Sequence, residues 1–233
     1  MGAYPQVVDW NNDGKKDLLC GDSKGQVWVF MNKGTQKEPL LEEGVHVEAD
    51  GKPIVGVAPE YRKGIDGVYR FAPNTNDITG VYSKLHFGDW DGDGLKDLLI
   101  GQDGPGGQDL VWYRNTGTKE APRFSAARPI QLPPLAMARP SPYLVDWDGD
   151  GKVDLLCGTE MARIYLFRNK GSADRPELEQ GRLLELKGGD FDKGYRCRID
   201  VVDWNNDGKL DILVGNCDGQ NNLGGNIWLF LQK

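Results

Sequence analysis

The sequence predicts an all-β fold, a β-propeller of four repeated four-stranded blades, on three observations. One loop recurs: Asp9-Trp10-Asn11-Asn12-Asp13-Gly14-Lys15-Lys16-Asp17 returns from Asp89, from Asp146 and from Asp203. These starts lie 80, 57 and 57 residues apart, a fixed period with one long interval, which marks a repeat array with an insertion after its first unit. Around each loop, short apolar runs rich in β-branched residues end in glycine, the pattern of strands rather than helices. Thirty-two glycines and thirteen prolines in 233 residues suit such a turn-rich chain.

Within each loop, oxygen-bearing side chains stand at positions 1, 3, 5 and 9. They are Asp9, Asn11, Asp13 and Asp17; Asp89, Asp91, Asp93 and Asp97; Asp146, Asp148, Asp150 and Asp154; and Asp203, Asn205, Asp207 and Asp211. Position 7 (Lys15, Leu95, Lys152, Lys209) adds a backbone carbonyl. Carboxylates packed so closely repel one another without a cation, and Ca²⁺ prefers six to eight oxygens offered by a flexible loop. An EF-hand would place a bidentate Glu at position 12 between helices. Here position 12 is Cys20, Ile100, Cys157 or Val214, so the loop joins two strands and position 9 closes the ligand set. About four Ca²⁺ are expected, held less tightly by the first and fourth loops, where Asn11 and Asn205 lower the ligand charge.

This motif resembles the FG-GAP/VCBS repeats, whose aspartate-rich loops bind Ca²⁺ in propeller blades. Phe87-Gly88 matches the Phe-Gly of that signature, while no Gly-Ala-Pro follows. The resemblance implies a propeller. Its members range from adhesion and glycan-binding proteins to domains attached to polysaccharide-degrading enzymes.

Each repeat reads as the same strand succession. Strand A enters the loop at 4–9, 85–89, 143–146 and 198–203, and strand B leaves it at 17–21, 97–101, 154–158 and 211–215. Strand C follows at 26–31, 110–114, 162–168 and 226–231; in three repeats it ends in Asn-x-Gly-Thr/Ser, a turn signal. A less regular strand D is expected at 44–48, 127–132 and 181–186. The chain thus reads as one propeller domain, with blade 1 about 1–56, an insertion about 57–80, blade 2 about 81–140, blade 3 about 141–196 and blade 4 about 197–233. No residues remain for a fourth strand in blade 4. A single-chain four-bladed ring is favoured, with completion by a homodimer or by further blades as the alternatives.

Trp10, Trp90, Trp147 and Trp204 share position 2 and are expected to pack between blades. Cys20 and Cys157 take the place of Ile100 and Val214 as small apolar residues. Cys197 and Cys217 lie ten residues either side of Asp207. In an antiparallel hairpin that symmetry would place them opposite each other, within disulfide reach; the alternative is two unpaired thiols.

Recognition should lie where the repeat is broken. The insertion carries Tyr61, Arg62, Tyr69 and Arg70. The long B–C connections of repeats 2 and 4 carry Asp103, Gln108, Asp109, Asn216, Asp218, Asn221 and Asn222. B–C and D–A connections emerge at the blade end opposite the metal loops, and aromatic, amide and carboxylate groups together suit a sugar. Glycan or an extracellular protein is therefore the expected partner. No serine elbow or His-rich cluster marks catalytic residues; a polysaccharide lyase or hydrolase, or a fragment of one, is the alternative. Formal charge is −7, and the fourteen loop aspartates account for it, so it says little about a partner. No basic stripe invites nucleic acid, and no run of eighteen apolar residues spans a membrane. Met1-Gly2 reads as an added start rather than an export signal. Weak calcium loops suit millimolar calcium, which points to a secreted, periplasmic or cell-surface protein.

Overall fold

A computed structural model describes residues 2–56, 60–63, 69–72, 80–104, 109–132, 139–187, 194–217 and 224–232, with 60–63 and 69–72 as backbone alone. All described elements are strands. The first blade is β1 (Ala3–Val8), β2 (Asp17–Asp22), β3 (Val27–Phe30) and β4 (Val45–His46). Two hairpins follow it, β5 (Glu48–Ala49) with β6 (Lys52–Pro53) and, in the insertion, β7 (Glu60–Lys63) with β8 (Tyr69–Ala72). The second blade is β9 (Val81–Gly88), β10 (Asp97–Asp103), β11 (Leu110–Tyr113) and β12 (Arg128–Pro129). The third is β13 (Ser141–Val145), β14 (Asp154–Gly158), β15 (Ile164–Phe167) and β16 (Arg182–Leu183). β17 (Tyr195–Val202), β18 (Asp211–Cys217) and β19 (Gly225–Phe230) form the three-stranded fourth. Each sheet is an antiparallel meander in chain order, so the chain is an all-β propeller fold of four blades. Among the described residues no helix is long and apolar enough to cross a membrane.

Register shows why the loop repeats so faithfully. The A–B hairpin closes on Val8↔Asp17, Gly88↔Asp97, Val145↔Asp154 and Val202↔Asp211. Position 9 is thus always the first strand residue after the loop. Strand D shrinks to two residues because its partners are only Trp28 and Val29, Val111 and Trp112, or Tyr165 and Leu166.

The chain forms two compact units, Met1–Asp89 with Gly94–Gln131, and Trp90–Asp93 with Leu132–Lys233. In the first, Leu19, Val27, Val29, Leu98, Ile100 and Val111 make the core, and Val47 and Ile54 from the segment after β4 join it. Strand B approaches the next blade so closely that a Cβ on Gly21 would lie 1.9 Å from the Ser83 carbonyl oxygen. That contact explains the glycine closing strand B. In the second unit, Leu156, Ile164, Leu166, Cys197, Ile212 and Val214 fill the core.

One open alternative is decided here and one expectation is corrected. Cys197 and Cys217 are free thiols: the hairpin register that pairs Arg198 with Gly215 is one residue off from pairing the two cysteines, a shift in β17 sets Cys217 opposite Tyr195, and the N–H of the buried Cys197 donates to the Thr159 carbonyl of the third blade at 3.0 Å. The position-2 tryptophans are also not equivalent. Trp90 is buried, and Trp10 and Trp147 pack against the cores of their units, whereas Trp204 is 57% exposed.

Between β1 and β9, Gln6 bridges the blades: its Oε1 accepts from the Phe87 N–H at 2.9 Å and its Nε2 lies 3.4 Å from His86 Nδ1. Burial of His86, with a smaller push from the Lys96 charge, drives its pKa down to about 3. The fold therefore favours neutral imidazole. The unfolded chain binds the extra proton between pH 6.5 and 3, so stability is full above 6.5 and falls as pH drops through that window. Between pH 6.5 and 5 this should cost about 2 kcal/mol. Urea denaturation of His86→Gln should lack that component, and a variant with the wild-type pH profile would disprove the assignment.

Candidate metal centres

The loops are shaped by backbone turns before any side chain is considered. Position 4 (Asn12, Gly92, Gly149, Asn206) and position 6 (Gly14, Gly94, Gly151, Gly208) all take left-handed φ values between 55° and 84°. Asn and Gly are the residues that tolerate that region. The double reversal points successive N–H groups inward. Asp9 Oδ1 accepts from the Asp13 N–H and Oδ2 from the Gly14 N–H, both at 3.1 Å. Asp203 accepts likewise from Asp207 and Gly208, and Asp146 from Gly149, Asp150 and Gly151. Asp89 Oδ2 accepts from the Gly94 N–H at 2.9 Å, while its Oδ1 is buried with no hydrogen-bond donor.

Position 5 is an exposed carboxylate tied back to position 7. The Lys15 N–H holds Asp13 below the usual carboxylate range. Asp150 is lowered chiefly by the Lys152 ammonium, 3.0 Å from its Oδ2. In the fourth loop Asn205 Nδ2 donates to Asp207 Oδ2 at 3.0 Å and is the main cause of its lowered pKa. Position 3 of the third loop, Asp148, pairs with Arg168.

Position 9 has a second task that spacing alone does not reveal. Asp17, Asp97, Asp154 and Asp211 are 0–2% exposed. Asp17 Oδ2 accepts from the Trp10 N–H at 2.9 Å and Oδ1 from the Asn32 N–H at 2.8 Å. Asp154 does the same with Trp147 and Asn169, and Asp211 with Trp204 and Gln232. Asp97 Oδ1 accepts from the Asn115 N–H at 2.7 Å. This buried carboxylate ties the loop to the end of strand C. Burial raises the Asp154 pKa against those bonds.

Two oxygen clusters fit a hard cation. One carboxylate oxygen from each of Asp89, Asp91 and Asp97 lies within 4.8 Å of the others, and the same holds for Asp146, Asp148 and Asp150. Like charges this close repel by roughly 1 kcal/mol per pair in water and more near protein. The donors are all oxygen, which suits Ca²⁺ rather than zinc, and the donor-less Asp89 Oδ1 is the kind of atom a cation would satisfy. In the first and fourth loops, Asn11 and Asn205 stand at the corresponding position 3.

The residues expected at the opposite blade end are only partly described. Tyr61, Arg62, Tyr69 and Arg70 lie on the β7–β8 hairpin, with Arg62 opposite Arg70, as backbone alone. Asp109 shapes its own connection, Oδ1 accepting from the Gly104 N–H at 3.3 Å. Asp103 ends β10, paired with Val81. Asn216, 6% exposed, accepts from Trp228 Nε1 at 2.9 Å. Gln108, Asp218, Asn221 and Asn222 lie outside the described residues.

Comparison with known proteins agrees with the repeat reading. The sequence profile described as FG-GAP-like repeat matches residues 89–157 and 146–214, together more than half of the chain. No curated protein matches. Among solved structures, the chain is similar to a lectin from Agrocybe aegerita, described for its specific recognition of non-reducing terminal N-acetylglucosamine. Identity is 17% and the TM-score 0.41; the match covers 97% of this chain and 65% of the lectin. The chain therefore spans 65% of that relative's length.

Proposed function

This chain belongs to the FG-GAP-like repeat family, and we propose that it is a calcium-stabilised binding module working outside the cytoplasm. The observation carrying the proposal is the convergence of the Asp89, Asp91 and Asp97 carboxylates around a buried oxygen that no donor satisfies. Asp89, Asp91, Asp93 and Asp97, with the Leu95 carbonyl, would hold the ion in the second loop, and the matching residues would do so in the other three. Bound Ca²⁺ supplies positive charge that cancels the loop's self-repulsion. Exposed loops of this kind suit millimolar calcium, hence a secreted, periplasmic or surface location.

Recognition of glycan or protein falls to the other blade end, where the β7–β8 hairpin and the B–C connections depart from the repeat. Connections built on a rigid sheet scaffold are where binding residues concentrate. The test is a polysaccharide panel passed over immobilised, calcium-loaded protein, with both retention and products measured. Retention without shortened or unsaturated products is the expected result. Product release would overturn it in favour of an enzyme, and indifference to every glycan would leave protein as the partner.

A further inference from the structure

The metal-loop end of the first unit holds a cavity of about 130 Å³, lined by Trp10 and Phe87, by Lys96 and Lys119, and by the loop residues Asp9 and Asn12. That is large against the ~10–15 Å³ a single water needs and small against the ~300–1,000 Å³ of a drug-sized site, the scale of one sugar ring. We propose that this cavity binds the uronate residue of an acidic glycan.

Its wall is aromatic. Trp10 stacks on Phe87 with ring centroids 4.9 Å apart and tilts against Phe124 at 5.8 Å. The indole is thus locked by its neighbours yet only part-buried, with Trp10 and Phe87 both lining the cavity. A flat, fixed, part-exposed ring is a stacking surface for the C–H face of a pyranose.

The rim is cationic. Lys96 and Lys119 both line the cavity and both are exposed. Neither makes an ion pair among the described residues; Lys96 Nζ instead lies 5.6 Å from the Phe87 ring centroid. Two unpaired ammonium groups converge here on a chain whose net charge is −7, so the local sign is opposite to the global one. Charge-assisted hydrogen bonds to a carboxylate are what such groups supply. Asn12, also on the lining, offers its amide to sugar hydroxyls. Aromatic wall, paired cations and a side-chain amide in a ring-sized space together select an anionic sugar over a neutral sugar or a bare anion.

This site lies at the opposite end of β10 from Asp103, so it stands apart from the recognition end proposed above. Calorimetry and ligand-observed NMR with methyl glucuronoside, methyl glucoside and acetate test it on the calcium-loaded chain. Saturable binding of the glucuronoside is expected, at least about tenfold tighter than either comparator. Lys96→Gln combined with Lys119→Gln should weaken it about tenfold, roughly 1.4 kcal/mol, with the melting temperature unchanged. Equal binding of glucoside or acetate, no saturation, or a double variant that binds like the wild type would each overturn the uronate site. Polymer retention that survives the double variant would locate recognition at the other end and leave that reading standing.

Discussion

Replacing Asp17 with alanine should destabilise the first unit by about 3–5 kcal/mol, among the largest effects a single substitution produces. Its two oxygens accept from the Trp10 and Asn32 N–H groups in a buried setting, and each donor left unsatisfied costs roughly 1–3 kcal/mol. Asp13→Ala in the same loop should cost under about 1 kcal/mol without calcium, because Asp13 is exposed and its carboxylate serves the loop alone. Urea denaturation in excess chelator separates the two roles, since any cation contribution is then absent from both variants. Equal losses would show that the buried hydrogen bonds of position 9 add nothing to stability beyond those of an exposed loop carboxylate. Asp22, outside the motif, is a poor neutral comparator: its Oδ1 accepts from the Lys24 and Gln26 N–H groups. The exposed Glu43 is a better one.

That dual role marks the boundary of what the sequence discloses. Spacing of 80, 57 and 57 residues yields the blades, and alternation around each loop yields strands A to C within a residue or two, except that strand A starts four residues earlier in the second blade and three earlier in the fourth. The left-handed residue at position 4 was also readable, since Asn12, Gly92, Gly149 and Asn206 are the two residue types that tolerate positive φ. Position 9 could be read as a candidate oxygen ligand but not as the clasp of strand C. The N–H it holds lies 15 to 21 residues further on in the chain, and only folding brings it near. The choice between a disulfide and two thiols was hidden for a different reason: the fourth hairpin pairs Val202 with Asp211 and Arg198 with Gly215, a register one residue off the symmetry about Asp207, and a further shift between Tyr195 and Arg198 sets Cys217 opposite Tyr195. The aromatic cavity was illegible because Trp10 meets Phe87, Lys96 and Lys119 only once two blades pack.

Removing calcium should lower the melting temperature by roughly 10–20 °C. A site held at a hundred times its Kd contributes about 2.7 kcal/mol, and two such sites together about 5 kcal/mol; each kcal/mol moves a domain of this size by about 2–4 °C. The four loops should not contribute equally. In the third, the cation must compete with Lys152 on Asp150 and Arg168 on Asp148, and in the first with Lys15 on Asp13. The second loop carries four aspartates, has Leu95 where the others have lysine, and holds the donor-less Asp89 Oδ1. Asp89→Asn should therefore remove more of the calcium-induced shift than Asp146→Asn, whose carboxylate is already held by three backbone N–H groups. Calcium titrations followed by thermal melting would rank them. If the two variants lose the same increment, loop chemistry does not set affinity; if chelation leaves the wild-type melting temperature unchanged, the oxygen clusters are not cation sites.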